Sequence, residues 1–306
     1  MKAVSFTLAA IGCFAHILGA DPAREEIVPE QSPSLASELA DEKIAISSSG
    51  QFQVSGGESL DRATAAMIAD QAREELVALT ADETTWKIPV SIKLERGSEK
   101  SAPSRISQIR LIEIEGAKRL EILYPIRRSH FHEELKRAVT SAILYELALL
   151  NEELVDLPMS VPPWLSDGLR EATAWRQGRS DRRLYEAIFH NGGLFRLDDL
   201  LSLSEVEFQQ LDGASLAAFR VSSGALVMAL MAQPEDQSAF ASFLREAAAH
   251  QGEMALLLRR HFPGLSLSKS SLAKWWSLQL AVIGGVTPLT EVMNVTQSEQ
   301  QLEQTL

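Results

Sequence analysis

Residues 144–150, LYELALL, place a single glutamate inside an otherwise apolar helical run. When residues 132–150 are arranged at about 100° per residue, Leu135 and Val139 lie about 20° to either side of Glu146. Glu146 therefore stands at the centre of the apolar face. An unpaired buried carboxylate is costly or takes up a proton. The position predicts either a hydrogen-bonded carboxyl group in the core or a carboxylate with a chemical role.

A second carboxylate, Asp167, follows in residues 161–169, VPPWLSDGL. The proline pair in this segment stops the preceding chain and starts a new helix. If Asp167 approaches Glu146, like-charge repulsion raises a carboxyl pKa, and the phenol of Tyr145 could lie beside them. Such a group could carry out general acid–base chemistry in a hydrolase.

Residues 130–134, HFHEE, offer a different site, because His130 and His132 could bind a metal ion together with a neighbouring carboxylate. The spacing is nonspecific, and solvated histidines beside acidic residues are typical of a helix start. Ser222-Ser-Gly224 lacks the turn that exposes a catalytic serine. Trp275-Trp276 is expected to pack in the core.

Residues 1–20 combine Lys2 with a long apolar run and small residues before Asp21, a pattern typical of a secretory signal peptide cut after Ala20. An uncleaved membrane anchor is one alternative, and a lipoprotein signal at Cys13 is another. Cys13 is the only cysteine, so the mature chain is expected to hold no disulfide and no thiol nucleophile.

The chain of 306 residues has 41 acidic residues and 29 basic ones. Loss of Lys2 with the signal leaves 28 basic residues and a formal charge of −13. An acidic surface mostly provides solubility and argues against nucleic acid or an anionic membrane as the main partner. We expect a secreted or periplasmic protein with no nucleic-acid partner and no membrane association after cleavage.

A polar, proline-containing flexible linker at residues 21–43 is expected to precede a small sheet with one helix. Alternating patterns and turn residues predict strands at 44–46, 52–54, 86–94, 106–114 and 119–124, with a helix at 60–79. The last two strands form a hairpin that turns at residues 115–118. Pro89 suits an edge strand.

From residue 132 onward the apolar period is helical, with breaks at 161–163, 191–193, 234 and 263–264. A sheet followed by helices is an α+β arrangement. The sequence thus predicts a small α/β half at residues 44–160, a helical half at 161–282 and a tail at 283–306.

The two carboxylate segments together resemble bacterial peptidase-MA-like proteins, which are gluzincin zinc metallopeptidases. In that family one helix carries HExxH, and a later proline-rich turn leads to W-L-x-E-G, whose glutamate is the third zinc ligand. Residues 162–169, PPWLSDGL, match the second motif. Further similarity at 51–56, 86–94, 219–227 and 272–276 extends the resemblance over roughly residues 50–280.

The resemblance implies a zincin-like fold in which Glu146 holds the general-base position of HExxH. Aligned on Glu146, Tyr145 and Leu149 replace the two zinc-binding histidines, and Asp167 stands at the third ligand. These residues cannot complete a tetrahedral zinc site, so no zinc and no other cofactor are expected.

The resemblance therefore predicts an exported, catalytically inactive protein. Its former cleft, near Tyr145, Leu149 and Asp167, could bind a peptide or protein partner, and Glu146 is expected to border this solvated groove. The alternative is a hydrolase or metallopeptidase with an unconventional site, which would use Glu146, Asp167 and Tyr145 or recruit the His130–His132 pair.

Overall fold

The computed structural model describes residues 43–80, 88–95, 107–114, 117–126, 131–150, 160–233, 237–265 and 269–286. The expected signal peptide 1–20, the expected linker up to residue 42 and residues 287–306 of the expected tail lie outside these ranges. The expectation that the tail begins at residue 283 is wrong, because residues 283–286 belong to the last helix. Trp86 and His130 lie outside them as well.

Among the described residues, five strands form one mixed sheet in the order β1-β2-β3-β5-β4. The strands are β1 (Ala45–Ile46), β2 (Phe52–Gly56), β3 (Val90–Glu95), β4 (Gln108–Ile114) and β5 (Ala117–Pro125). The central strands β2, β3 and β5 run parallel, and β1 and β4 pair antiparallel at the edges. The sheet and the β4–β5 hairpin confirm the predictions for this half, but the turn is shorter than the predicted residues 115–118, because Ala117 and Lys118 already pair with β4.

Side chains alternate between the two faces of the sheet. In β3, Val90, Ile92 and Leu94 are buried, whereas the residues between them are partly or fully exposed. Helix α1 (Ser59–Thr80) packs against β2, and α2 (Phe131–Leu149) packs against β5. A sheet covered on one face produces this half-buried pattern.

The chain after α2 is helical throughout the described part, as the sequence predicts. The remaining helices are α3 (Pro163–Arg176), α4 (Arg182–Asn191), α5 (Leu197–Ser202), α6 (Glu205–Gln210), α7 (Gly213–Met231), α8 (Gln237–Ala247), α9 (Met254–His261) and α10 (Lys269–Val286). The α+β class is therefore confirmed. The described residues belong to one compact unit, in which α2 contacts the sheet as well as α1, α3 and α8.

The prediction that Pro89 marks an edge strand is wrong. Strand β3 lies between β2 and β5 and pairs in parallel with both. The ladder begins at Val90, one residue after the proline, so no ladder N–H is lost. The Pro89 carbonyl still accepts a hydrogen bond of 3.2 Å from the Leu120 N–H.

Helices α3 and α7 cross at two glycines. A Cβ atom added to Gly168 would lie 2.6 Å from the Ser223 carbonyl oxygen, and one added to Gly224 would lie 2.7 Å from Glu171 Cβ. Only a residue without a side chain allows the two backbones to approach so closely. This contact brings Asp167, which precedes Gly168, next to α7.

Helix α7 is the one helix in the described ranges that is long and apolar enough to cross a membrane by length and composition. Within its most apolar stretch, 61% of the residues are buried inside the protein. Such burial is typical of a core helix, and the contact with α3 explains it.

Candidate functional site

Glu146 lies in the core and takes part in a hydrogen-bonded connection between α2 and the sheet. Its exposed fraction is 0%. Gln51 Nε2 donates to Oε2 at 2.7 Å, and the Ile88 N–H donates to Oε1 at 3.0 Å. Gln51 immediately precedes β2, and Ile88 stands two residues before β3. The prediction of a hydrogen-bonded core carboxyl group is confirmed, and the expectation that Glu146 borders a solvated groove is wrong.

Asp167 is also fully buried, with an exposed fraction of 0%, but cations surround it. Arg137 Nε donates to its Oδ2 atom at 2.9 Å, and Arg170 Nη1 donates to Oδ1 at 2.9 Å. Arg220 Nε lies 3.6 Å from Oδ1, which is an ion pair without a hydrogen bond. Asp167 thus connects α2, α3 and α7 through their arginines.

The Glu146 side chain and the Arg137 side chain that holds Asp167 lie on opposite sides of α2. Arg137, which holds Asp167, precedes Glu146 by nine residues. Nine residues correspond to about 180° around a helix and about 14 Å along its axis. The like-charge approach of Asp167 to Glu146 is therefore a wrong expectation, because α2 is buried on both sides and each carboxyl group meets a different neighbour.

Tyr145 and Leu149 follow Arg137 by about two and three turns of α2. The Tyr145 hydroxyl accepts a hydrogen bond of 3.4 Å from the Val161 N–H, just before α3. Burial is the main cause that raises the pKa of this phenol above its ordinary value. Leu149 is buried in the core. The groove beside Arg137 is lined on its α2 side by Glu133, Glu134 and Arg137. The former cleft around Tyr145, Leu149 and Asp167 stays a prediction.

The positions of α2 that meet the start of α3 are Arg137 and Ser141. Ser141 Oγ shares a hydrogen bond of 2.8 Å with Ser166 Oγ, next to the Arg137–Asp167 pair. The two residues are four apart, which places them about 40° from each other on one face of the helix. Sequence reasoning missed them because it followed the only glutamate in the apolar run. The pattern that could have revealed them is a pair of polar residues, four positions apart, in a helix that is mostly buried.

The charge network continues to the surface through two further glutamates. Arg137 donates to both carboxylate oxygens of Glu205, at 3.0 and 2.5 Å, and Arg170 pairs with Glu133. Burial acts to lower the pKa of Arg137, but its hydrogen bonds and charge pairs with Glu205 and Asp167 hold that pKa above the ordinary value. Arg137 remains a permanent cation.

A groove of about 500 Å³ opens beside this network. Helices α2, α3, α6 and α7 and the end of β5 line it. Its charged lining consists of Glu133, Glu134, Arg137, Arg170, Glu205 and Arg220. Apolar residues on α6 and α7, among them Val206 and Leu216, form another part of its wall. The groove thus combines cations and apolar surface.

The other candidate sites have structural explanations. His132 is exposed in the first turn of α2, as expected of a helix start. Ser222 accepts a hydrogen bond from the Phe195 N–H, and the Trp276 indole donates to the Phe195 carbonyl oxygen at 3.1 Å. Trp276 is buried in the core as predicted, whereas Trp275 is only partly buried against it. In the described part of the chain, no group of three His, Cys, Asp or Glu residues is placed to hold a metal ion.

Glu171, one turn after Asp167, gives a prediction on pH. Burial is the main cause that raises its pKa, and Arg170 and Arg220 act against it. A carboxyl pKa that is higher in the folded state destabilises the fold while the group is ionised, and this penalty is lost as the pH falls through the folded pKa. We expect Glu171→Gln to be more stable than the parent chain at neutral pH, with the difference shrinking on acidification.

Glu207→Gln provides the control of opposite sign. Hydrogen bonds from Ser204 lower the pKa of Glu207, so its stabilisation is present at neutral pH and is lost as the pH falls. Urea unfolding of both variants and the parent chain, from neutral to acidic pH, measures how the free energy of unfolding of each variant differs from that of the parent. A Glu171→Gln variant that loses stability at neutral pH would contradict the burial penalty.

No protein-family model matches the chain, and no curated protein or solved structure is significantly similar to it. The similarity to gluzincin peptidases thus rests on the sequence motifs alone. The structural observations that bear on this resemblance are the α+β fold and the contacts of Asp167.

Proposed function

We propose that this chain is an exported, catalytically inactive relative of gluzincin peptidases, and that its groove binds a peptide or protein segment. The observation that best supports the proposal is the pairing of Asp167 with arginines. This residue stands at the third-ligand position of the W-L-x-E-G motif, and arginines occupy both of its carboxylate oxygens. The apolar run of residues 1–20 supports export to the periplasm or the medium.

The arginines explain how the fold could persist without zinc. A buried carboxylate requires a positive partner, and Arg137 supplies a permanent one in the place where a gluzincin would hold its ion. A guanidinium does not bind and acidify a water molecule as zinc does, so it stabilises the site but generates no nucleophile.

The same geometry revises the alignment with HExxH. Arg137 and Ser141 are the pair, four residues apart, that faces the Ser166–Asp167 segment. We therefore infer that residues 137–141, RAVTS, correspond to the family's metal-binding pentapeptide, with Ala138 in the general-base position. Tyr145 and Leu149, chosen by aligning on Glu146, lie two turns further along α2.

Zinc binding by engineered variants tests this assignment. We expect the folded triple variant Arg137→His, Ser141→His, Asp167→Glu to take up about one zinc ion per chain, because a His-x-x-x-His pair and a carboxylate then converge. The matched variant Tyr145→His, Leu149→His, Asp167→Glu is expected to take up none. Metal analysis after dialysis, with circular dichroism to establish folding, measures both.

The unmodified chain supplies the decisive control, because it needs no substitution. We expect it to contain no stoichiometric zinc and to hydrolyse no peptide. Stoichiometric zinc together with peptide turnover in the unmodified chain would overturn the proposed function. Zinc uptake by the Tyr145–Leu149 variant alone would restore the alignment on Glu146. The hydrolase alternative that uses Glu146 with Asp167 gains no support from the geometry, since the two carboxyl groups lie on opposite sides of α2. The alternative that recruits His130 and His132 stays a prediction, because His130 lies outside the described residues.

A further inference from the structure

We propose that Arg220 is the anchor for a ligand carboxylate in the groove, and that the ligand is a peptide with an apolar side chain beside that carboxylate. This inference rests on the proposed function, because it names the ligand of the same groove. The inference depends on which hydrogen-bond partners the three arginines around Asp167 already have.

Arg137 and Arg170 are largely occupied by protein carboxylates. Arg137 uses all three of its nitrogens on Asp167 and Glu205. Arg170 uses both of its terminal nitrogens on Asp167 and Glu133. Arg170 is also 92% buried, since its exposed fraction is 8%. Neither guanidinium is well placed to take a new ligand.

Arg220 differs from both. Its Nε atom, like that of Arg170, is buried and has no hydrogen-bond partner within the described ranges. Its terminal nitrogens, unlike those of Arg170, have no hydrogen-bond partner there either. Its Nε atom lies 3.6 Å from Asp167 Oδ1, which also accepts a hydrogen bond from Arg170, so Arg220 makes an ion pair with Asp167 without a hydrogen bond. The side chain is nevertheless 34% exposed and lines the groove. A guanidinium whose fork is open in this way is suited to a carboxylate, which it can bind through two parallel hydrogen bonds.

The surroundings of Arg220 define the rest of the ligand. Leu216 precedes it by one helical turn on α7 and lines the same groove, and Val206 on α6 lines it with 65% exposure. These side chains favour an apolar group next to the carboxylate. Glu134 also lines the groove, and its charge disfavours a second negative group on the ligand. The combination fits a singly charged, apolar peptide end.

The probe is N-acetyl-leucyl-leucine with a free carboxylate, compared with the same peptide as its C-terminal amide. Binding to the full chain is followed by NMR titration of the arginine Nε–Hε signals. We expect the acid to bind at least about tenfold more tightly than the amide and to shift the Arg220 signal, since a charge-assisted bidentate pair is lost in the amide. N-acetyl-Leu-Glu-Leu-amide distinguishes a side-chain carboxylate from a terminal one.

Substitutions at Arg220 complete the test. Arg220→Gln should weaken binding of the acid by at least about tenfold, and Arg220→Lys should give an intermediate affinity because it keeps the charge and loses the fork. Arg183→Gln, at an exposed position on α4, serves as the matched control and should bind as the parent does.

Equal affinity for acid and amide, unchanged binding by Arg220→Gln, or no binding of either carboxylate peptide would overturn the anchor. The loss of catalysis in the proposed function is decided separately, by the zinc content and peptide turnover of the unmodified chain, and binding of none of the three peptides would count against its peptide-binding part as well. A chain without zinc that binds acid and amide equally would refute the Arg220 anchor alone.

Discussion

Replacing Asp167 with alanine is expected to lower the free energy of unfolding by about 3–5 kcal/mol, the usual cost of breaking a buried ion pair by removing one partner. The carboxylate is fully buried and holds Arg137 and Arg170 by hydrogen bonds. Without it, these guanidinium groups lose the buried counterion that they share, and only the exposed carboxylates of Glu205 and Glu133 remain to pair with them. Urea unfolding followed by circular dichroism measures the loss.

Two further substitutions separate the buried charge from a general effect of removing a carboxylate. Asp199→Ala, at an exposed position of α5, is expected to change the free energy of unfolding by less than about 0.5 kcal/mol. Asp167→Asn keeps the shape and one acceptor oxygen but removes the charge, so its stability should fall between that of the alanine variant and that of the parent. A loss below about 1 kcal/mol for Asp167→Ala would show that the three arginines do not depend on this carboxylate.

Replacing Gly168 with alanine is expected to cost about 1–3 kcal/mol through overpacking at the crossing of α3 and α7. The added Cβ would lie 2.6 Å from the Ser223 carbonyl oxygen and 2.7 Å from Val227 Cγ2. A backbone oxygen cannot move aside as a flexible side chain can, so the helices must separate. Because Asp167 adjoins Gly168, we also expect the Arg220 signal to shift in the NMR spectrum.

Gly213→Ala is the matched control for this prediction. Gly213 begins α7, its φ angle is not in the left-handed region, and no atom outside its immediate neighbours lies within 4 Å of an added Cβ. The same change should therefore stabilise the chain by about 0.4–1 kcal/mol, because alanine restricts the unfolded chain. Equal effects at the two glycines would contradict the close approach of the helices.

Much of the fold could be predicted because its signals are local. The alternation in residues 90–95 and the helical period after residue 131 lie within single elements, so strands, helices and the α+β class could be inferred. The edge-strand prediction for Pro89 was wrong because the proline lies one residue before the paired part of β3. Where pairing begins depends on the partner strands, which the local sequence does not specify. The order β1-β2-β3-β5-β4 likewise depends on pairing between distant segments.

The candidate site was only partly predictable. The helical wheel placed Glu146 in a buried position, and it is fully buried. The wheel could not reveal that the opposite side of α2 is buried as well, because Arg137 and Ser141 there are polar and their burial depends on α3. An alignment guided by the conspicuous glutamate therefore selected Tyr145 and Leu149 instead of Arg137 and Ser141, which contact Asp167 and Ser166.

The sequence by itself determined which segments are helices and strands and that Glu146 and Asp167 required partners. Only the tertiary structure decided which residues hydrogen-bond to these two carboxyl groups. Glu146 is held by residues 95 and 58 positions away, and Asp167 by Arg137, 30 positions away. The physical reason is that periodicity records which side of an element avoids water, whereas a buried charge is stabilised by specific atoms a few ångströms away, and packing alone brings such atoms together.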